Sequence, residues 1–221
     1  RQCLGFPATT NPLSDIEKSE VILVIGADPT VSAPVVGYAI KRAVRQKGAK
    51  LVLIDPRRTK LVSFAELWLI PEPGTDAALI NGMTKVILDE DLWDKESVAQ
   101  MTDHLAALTG ALGEYTPDHV AEVTGVPARD MSCAARLFAQ ASRASIVSGN
   151  GLTQQPNGME SVLALVNIAL LGGKLGAESG ICALHRGNNG QGASETGDVP
   201  HFLPVAGGTG DAPAPRESAE G

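Results

Sequence analysis

Five short polar segments contain the residues of this 221-residue chain whose types and spacing suit ligand binding. Most combine glycine, which lets backbone N–H groups approach a ligand closely, with carboxylates, amides or arginines that form directed hydrogen bonds. Together they can bind phosphate, hydroxyl groups and a nitrogen heterocycle. The segments are 26–32 (GADPTVS), 55–58 (DPRR), 74–76 (GTD), 149–155 (GNGLTQQ) and 185–194 (HRGNNGQGAS).

The first two segments suit a phosphate and a ribose. Gly26 ends an apolar run, so backbone N–H groups there can face a phosphate, aided by the dipole of the next helix. A structural turn is the alternative. Asp55 ends another apolar run and can accept hydrogen bonds from ribose hydroxyls, while Arg57 and Arg58 can donate to phosphate. The alternative there is an N-cap aspartate and two solvated arginines.

The remaining segments suit a base and a polar heterocycle. The carboxylate of Asp76 can accept from both N1–H and N2–H₂ of guanine, a pair of donors that adenine lacks; helix capping by Thr75 or Asp76 is the alternative. The amides of 149–155 match a neutral heterocycle, or else form a plain loop with an Asn-Gly turn. Segment 185–194 is predicted to be a ligand loop because it is so dense in hydrogen-bonding side chains.

Alternating strands and helices must position these segments. Apolar runs predict strands at 21–25, 50–54, 67–70 and 144–148. Helical spacing predicts helices at 35–47, 59–64, 75–89, 94–102, 103–113, 127–142 and 158–171, and a short helix that Thr116 caps and Pro117 begins. The first twenty residues and those after 173 are predicted as loops.

This order predicts an α/β fold, an open, mainly parallel, Rossmann-like sheet with helices on both faces. Ligands of such sheets bind beyond the carboxyl ends of the strands, where four of the five polar segments lie.

Composition narrows the function classes. A formal net charge of −7 argues against a general nucleic-acid binder. No apolar run approaches the length of a membrane span, and the first residues do not have the pattern of a signal peptide. The three cysteines are too far apart in sequence to predict a zinc site, an iron–sulfur site or a disulfide framework. We expect one domain over 1–204, followed by a disordered tail or linker over 205–221 that is rich in Gly, Ala, Pro and Ser.

Six sequence motifs, in this order, resemble those of a known family. They are LVIGADP, LVLIDPRRT, PEPGTDAALING, YTPDHVAEVTGVP, GNGLTQQPNG and HRGNNGQGA. The chain resembles, over roughly residues 10–200, the catalytic subunit of molybdopterin oxidoreductases of the dimethyl-sulfoxide-reductase superfamily, with the formate dehydrogenase alpha subunit as the nearest branch. The resemblance implies molybdenum or tungsten held by two molybdopterin guanine dinucleotides (bis-MGD). It also implies a 4Fe–4S cluster and a metal-ligating cysteine or selenocysteine, both upstream of this chain.

The resemblance also implies roles for particular residues. The diphosphate of one dinucleotide lies along Gly26, Ala27, Asp28, Pro29 and Ser32, and its ribose lies near Asp55, Pro56, Arg57 and Arg58. The guanine lies against Gly74, Thr75 and Asp76, with Asp76 as the base reader. The pterin lies near Asn150, Gly151 and Gln154, and the last loop contributes Asn189, Gln191 and Gly192. Arg186 corresponds to the arginine that holds the substrate carboxylate, although alignment from the Gln-Gly-Ala end of this loop puts His185 there instead.

The implied activity is oxidation of formate, or of another small oxyanion, with two electrons passed to iron–sulfur clusters. The implied partners are the remaining domains of the same catalytic subunit and an iron–sulfur electron-transfer subunit. The alternative is the non-catalytic molybdopterin-fold domain of the large iron–sulfur subunit of respiratory NADH dehydrogenase. A plain nicotinamide dehydrogenase would need GxGxxG after the first strand, where only Gly26 is present. We expect a cytoplasmic protein, with a periplasmic one as the alternative because any signal would precede residue 1.

Overall fold

A five-stranded parallel sheet organises the part of the chain that the computed structural model describes, which is residues 9–101, 105–176 and 178–185. Its spatial order is β3-β2-β1-β4-β5, and every neighbouring pair is parallel. The strands are β1 (Val21–Ile25), β2 (Lys50–Ile54), β3 (Leu67–Leu69), β4 (Ala144–Ser148) and β5 (Gly180–Ala183). The predicted fold class is confirmed, and all the elements described here belong to one compact unit, Thr9–Leu184.

Helices cover both faces of this sheet. Their bounds are α1 Leu13–Lys18, α2 Pro29–Ser32, α3 Pro34–Lys47, α4 Asp76–Asp89, α5 Lys95–Met101, α6 Leu105–Ala111, α7 Pro117–Thr124, α8 Ala128–Gln140, α9 Asn150–Thr153 and α10 Gly158–Leu171, with a 3-10 helix at Lys60–Phe64. Helices α4, α7, α8 and α10 contribute to one apolar cluster, and α1, α3 and the 3-10 helix contribute to the other.

The two-sided core explains why the strands are continuous apolar runs rather than alternating ones. In β1, Val21, Leu23 and Ile25 belong to the first cluster, whereas Ile22 and Val24 belong to the second. Successive side chains of a strand point to opposite faces, so a strand with helices on both sides needs apolar residues at every position.

The strand order places the ligand edge. From β1 the chain moves outward to β2 and β3, then returns to β4 on the other side of β1. The carboxyl ends of β1 and β4 therefore flank a topological switch point, the position at which open α/β sheets bind ligands.

Two predicted loops contain regular structure. The first twenty residues were expected to be a loop, but residues 13–18 form α1, whose Ile16 is buried in the second cluster. The segment after Gly173 was also expected to be a loop, but residues 180–183 form β5, which pairs with β4 and buries Ile181. Both elements are short, and tertiary contacts rather than local periodicity stabilise them.

Other boundaries differ by a few residues. The helix predicted at 127–142 is α8, which ends two residues earlier, and the helix predicted at 59–64 has 3-10 geometry. The one-turn helices α2 and α9 were not predicted, and both lie in ligand-loop segments. Thr116 caps α7 as predicted, with Pro117 at its first position.

Two sequence predictions concern a membrane span and the end of the domain. None of the helices among the described residues has the length and apolar composition that a membrane span needs. The predicted tail at 205–221 lies outside the described residues, so the division of the chain at residue 204 stays a prediction.

Candidate functional site

The loops after β1 and β4 meet backbone to backbone. The N–H of Gly151 donates to the carbonyl of Gly26 at 2.9 Å, and the N–H of Gly149 donates to the carbonyl of Ile25 at 3.1 Å. Gly26 has φ +55°, and a Cβ there would lie 2.6 Å from the backbone nitrogen of Leu152. A Cβ on Gly151 would lie 2.7 Å from the carbonyl oxygen of Gly26. Only glycine permits this approach, which places the main chains of both loops side by side at the switch point.

Asp28 closes the first turn after β1. Its carboxylate accepts a hydrogen bond from the backbone N–H of Thr30 at 3.1 Å and another from the Thr30 hydroxyl. Asp28 therefore caps α2, and the Thr30 amide is satisfied within the chain. Ala27 and Pro29 are buried beside this turn, and Ser32 is exposed.

An ion pair occupies the tip of β2. Asp55 is 1% exposed and accepts from the backbone N–H of Arg57 at 2.8 Å and from its guanidinium nitrogens Nε and Nη2, each at 3.1 Å. The indole N–H of Trp68 donates to the Asp55 carbonyl at 2.9 Å, which ties this tip to β3. The hydrogen bond and the charge of Asp55 raise the pKa of the Arg57 guanidinium, and the charge of Asp28 adds to the effect. Pro56 and Arg58 are exposed.

Two amides hold the turn at 74–76 against the loop after β4. Nε2 of Gln155 donates to Oδ2 of Asp76 at 2.9 Å and to the carbonyl of Gly151 at 2.6 Å. Nδ2 of Asn157 donates to the carbonyl of Gly74 at 2.8 Å. We call these contacts the amide clamp, formed by residues 155 and 157 on residues 74 and 76. It joins segments that are about eighty positions apart in sequence.

Asp76 is a buried carboxylate at the start of α4. It is 5% exposed, and burial raises its pKa, an effect that the hydrogen bond from Gln155 and a backbone hydrogen bond oppose. The negative charge of Asp55 also raises the pKa of Asp76. The side chain of Thr75 forms no capping hydrogen bond to α4, and its hydroxyl donates instead to the carbonyl of Glu72 at 2.7 Å. Capping by Thr75 therefore does not account for this turn.

The structure thus brings together residues from four of the five predicted segments. The charge of Asp28 acts on Arg57, the charge of Asp55 acts on Asp76, and Gly26 contacts Gly151. Asn150 begins α9, and Gln154 follows its end with an exposed side chain. Arg186, Asn189, Gln191 and Gly192 lie outside the described residues.

Gln155 and Asn157 were missed as site residues in the sequence. The sequence did offer a signal for Gln155, because two adjacent glutamines lie in the polar segment after the strand at 144–148. Sequence reasoning selected Gln154, and only the path of the one-turn helix α9 decides that Gln155 faces Asp76. Asn157 had no distinguishing pattern beyond an Asn-Gly pair.

Metal ligation by side chains finds no support in the described ranges. Among those residues, no group of three or more His, Cys, Asp or Glu side chains could hold a metal ion. Cys133 and Cys182 are free thiols, and burial raises the pKa of Cys182. The described edge therefore offers hydrogen-bonding groups and not a metal-ligand set.

Comparison with known proteins gives consistent matches. The family model described as molybdopterin oxidoreductase matches residues 6–207. The chain is 38% identical over 203 residues to the F420-dependent formate dehydrogenase subunit alpha of Methanocaldococcus jannaschii, covering 91% of this chain and 30% of the relative. It is 36% identical over 204 residues to formate dehydrogenase H of Escherichia coli, covering 92% and 28% respectively.

A solved structure agrees with these sequence matches. The acetylene hydratase of Pelobacter acetylenicus superposes with a TM-score of 0.68 at 34% identity, covering 75% of this chain and 22% of that one. The chain spans about 30% of the length of the two curated formate dehydrogenases it matches.

Proposed function

The chain belongs to the molybdopterin oxidoreductase family, and from this membership we propose that the carboxyl edge of its sheet binds the guanine-dinucleotide form of the molybdopterin cofactor. The observation that carries the proposal is the meeting of three loop segments from distant parts of the sequence. Gly26 contacts Gly151, and Gln155 joins Gly151 to Asp76. An elongated ligand laid along this edge would contact main-chain groups at the glycines and a carboxylate at Asp76.

The residues present fit such a ligand. The two glycines bring the loops after β1 and β4 into backbone contact at the switch point, the position where open α/β sheets bind a diphosphate. Asp55 accepts three hydrogen bonds from Arg57, and one ribose hydroxyl can add a donor to the same carboxylate because an ionised carboxylate has about four acceptor positions. Asp76 can take both guanine donors. We assign binding of the pterin to Asn150, Gly151 and Gln154. We assign further cofactor contacts to Asn189, Gln191 and Gly192 of the last loop.

We further propose that the whole protein is a formate dehydrogenase. The two curated relatives reported above carry that name, and this chain spans about 30% of each of them. When bound, the metal–pterin group supplies the two-electron redox chemistry. This chain's own residues bind and orient the cofactor, and Arg186 or His185 positions the substrate carboxylate by charge-assisted hydrogen bonds. The remaining domains of the subunit and an iron–sulfur electron-transfer subunit are the proposed partners.

The assignment of Asp76 is tested by the nucleotide content of the purified protein. The intact protein is expressed with cofactor, washed and hydrolysed in acid, and the GMP released per chain is measured. We expect Asp76→Ala to lower this ratio strongly because the guanine loses both hydrogen bonds to the carboxylate. The matched control is Asp89→Ala, which removes an exposed carboxylate from the far end of the same helix.

Two outcomes would count against the proposal. An unchanged GMP ratio in Asp76→Ala would remove Asp76 as the guanine reader. A wild-type protein that releases no GMP would favour the alternative of a non-catalytic molybdopterin-fold scaffold, as in the large iron–sulfur subunit of respiratory NADH dehydrogenase.

A further inference from the structure

We propose that Gln155 is a positioning residue for guanine recognition: it holds the Asp76 carboxylate in place so that both of its oxygens can accept from the base. The inference rests on the proposed function, because it takes Asp76 as the guanine reader. It goes beyond that function because it assigns guanine specificity to a second side chain on a different loop.

The amide of Gln155 bridges two acceptors. Nε2 of Gln155 donates at once to Oδ2 of Asp76, at 2.9 Å, and to the carbonyl of Gly151, at 2.6 Å. Both partners are acceptors, so the nitrogen and not the oxygen of this amide must face them. The two hydrogen bonds fix the side chain between the base-reading carboxylate and the glycine at the switch point.

The carboxylate of Asp76 can accept further hydrogen bonds beside the one from Gln155. Gln155 uses one acceptor position on Oδ2 and a backbone N–H uses a second, and an ionised carboxylate has about four across its two oxygens, so about two are left. N1–H and N2–H₂ of guanine need one position on each oxygen. Gln155 can therefore stay in place when guanine binds, and its hydrogen bond restricts the rotation of the carboxylate that the base must meet.

The hydrogen bond from Gln155 also favours the charged form of Asp76. The carboxylate must be ionised to accept from both guanine donors, and it is 5% exposed. Burial and the charge of Asp55 raise its pKa, while the hydrogen bond from Gln155 lowers it. Asp55 is itself paired with Arg57. Removing the Gln155 donor leaves burial and Asp55 with less opposition, so the pKa of Asp76 rises further.

Asn157 provides a matched control within the same clamp. Its amide donates to the main-chain carbonyl of Gly74 at 2.8 Å and does not contact the carboxylate. Asn157→Leu therefore loosens the turn that carries Asp76, whereas Gln155→Leu removes a donor from Asp76 itself. A role that is only structural would make the two variants behave alike.

The test uses the full chain without cofactor and GDP as the probe. Carbon-13 NMR follows the titration of the Asp76 carboxyl group, and calorimetry measures the affinities for GDP and ADP across the acidic pH range. In Gln155→Leu we expect the Asp76 titration to move to higher pH. We also expect GDP affinity to fall roughly 10- to 100-fold, because a carboxylate that can rotate or take up a proton loses about one of its two hydrogen bonds to the base, with little change for ADP. Asn157→Leu should leave the titration midpoint where it is.

The outcomes separate this inference from the proposed function. An unchanged Asp76 midpoint in Gln155→Leu, or an equal shift in Asn157→Leu, overturns the positioning role. If Asp76→Ala weakens GDP binding but Gln155→Leu does not, only the inference fails. If wild-type chain binds GDP no better than ADP, the proposed function is contradicted, and the carboxyl titration still decides whether Gln155 keeps Asp76 ionised.

Discussion

Asp76 shows at the level of one residue how a binding group can reduce stability. The carboxylate is 5% exposed and sits in the first turn of α4, where the helix dipole favours a negative charge. Burial nevertheless raises its pKa, so ionising this group costs the folded state free energy. Such a cost is typical of sites selected for function rather than for stability.

The pKa shift of Asp76 predicts a pH-dependent effect of Asp76→Asn on stability. Because the folded pKa lies above the unfolded value, the folded state binds the proton more tightly, and this stabilisation is lost as pH rises from the unfolded pKa through the folded one. The asparagine stays neutral at every pH. We therefore expect the free energy of unfolding of Asp76→Asn, relative to wild type, to increase with pH across that window and to level off above it.

Urea unfolding at a series of acidic to neutral pH values measures this difference. Asp89→Asn, on an exposed carboxylate of the same helix that pairs with Lys85, is the matched control. A flat difference for Asp76→Asn would mean that the hydrogen bonds to the carboxylate fully compensate its burial.

At the level of elements, the contact between the β1 and β4 tips decides whether a site exists. The strands themselves pair in register over their full length, from Val21↔Ala144 to Ile25↔Ser148. Beyond the last pair, the two loops stay in contact because Gly26 and Gly151 have no side chains. The glycines extend the parallel pairing into the loops and hold the two loops together at the switch point.

This dependence predicts that Gly26→Ala destabilises the chain and separates the loops after β1 and β4 at the switch point. The new methyl group would meet the Leu152 nitrogen at 2.6 Å, on a residue whose φ is +55°. Backbone strain and overpacking together suggest a loss of about 2–4 kcal/mol. The matched control is Gly48→Ala, at φ +73° with no atom within 4 Å of the new methyl group, which should cost roughly 1–2 kcal/mol from strain alone.

Chemical denaturation of both variants provides the comparison. Hydrogen exchange of the Gly151 amide, whose N–H donates to Gly26, measures how often the two loops separate. It should accelerate only in Gly26→Ala. Equal losses of stability in the two alanine variants would show that the close approach contributes nothing beyond the glycine conformation.

At the level of the whole molecule, this chain spans about 30% of the formate dehydrogenases it matches. Among the described residues, no group of three or more His, Cys, Asp or Glu side chains could hold a metal ion. Within this chain, the proposed contact with substrate falls on Arg186 or its neighbour His185.

The substrate assignment predicts a change in kinetics in the intact enzyme. Arg186→Lys replaces a planar guanidinium, which can bind a carboxylate through two parallel hydrogen bonds, with a single ammonium group. We expect the KM for formate to rise about tenfold or more, since a charge-assisted hydrogen bond is lost. Steady-state kinetics measure this, with Arg42→Lys as the control on the exposed face of α3, where Arg42 pairs with Glu17.

The same experiment resolves the ambiguity in the last loop. If Arg186→Lys leaves the KM unchanged while His185→Ala raises it, the alignment from the Gln-Gly-Ala end is the correct one. If neither substitution alters formate kinetics, this loop does not hold the substrate.

The sequence by itself determined the strands β1, β2 and β4, their parallel arrangement and the edge at which the polar segments collect. It could do so because a strand buried on both faces must be apolar at every position, and that signal is local. The glycines and carboxylates that follow these strands could also be identified, because they come directly after the apolar runs. The family resemblance added roles to residues already singled out by their positions.

Tertiary structure alone decided which side chains meet. It formed β5, since Gly180–Ala183 becomes a strand by pairing with β4 and not through a pattern of its own. It also chose Gln155 over Gln154 as the partner of Asp76, because the single turn of α9 sets which of two identical neighbours faces α4. Contacts across about eighty residues depend on how the two loops fold over the sheet edge, and no local pattern records that geometry.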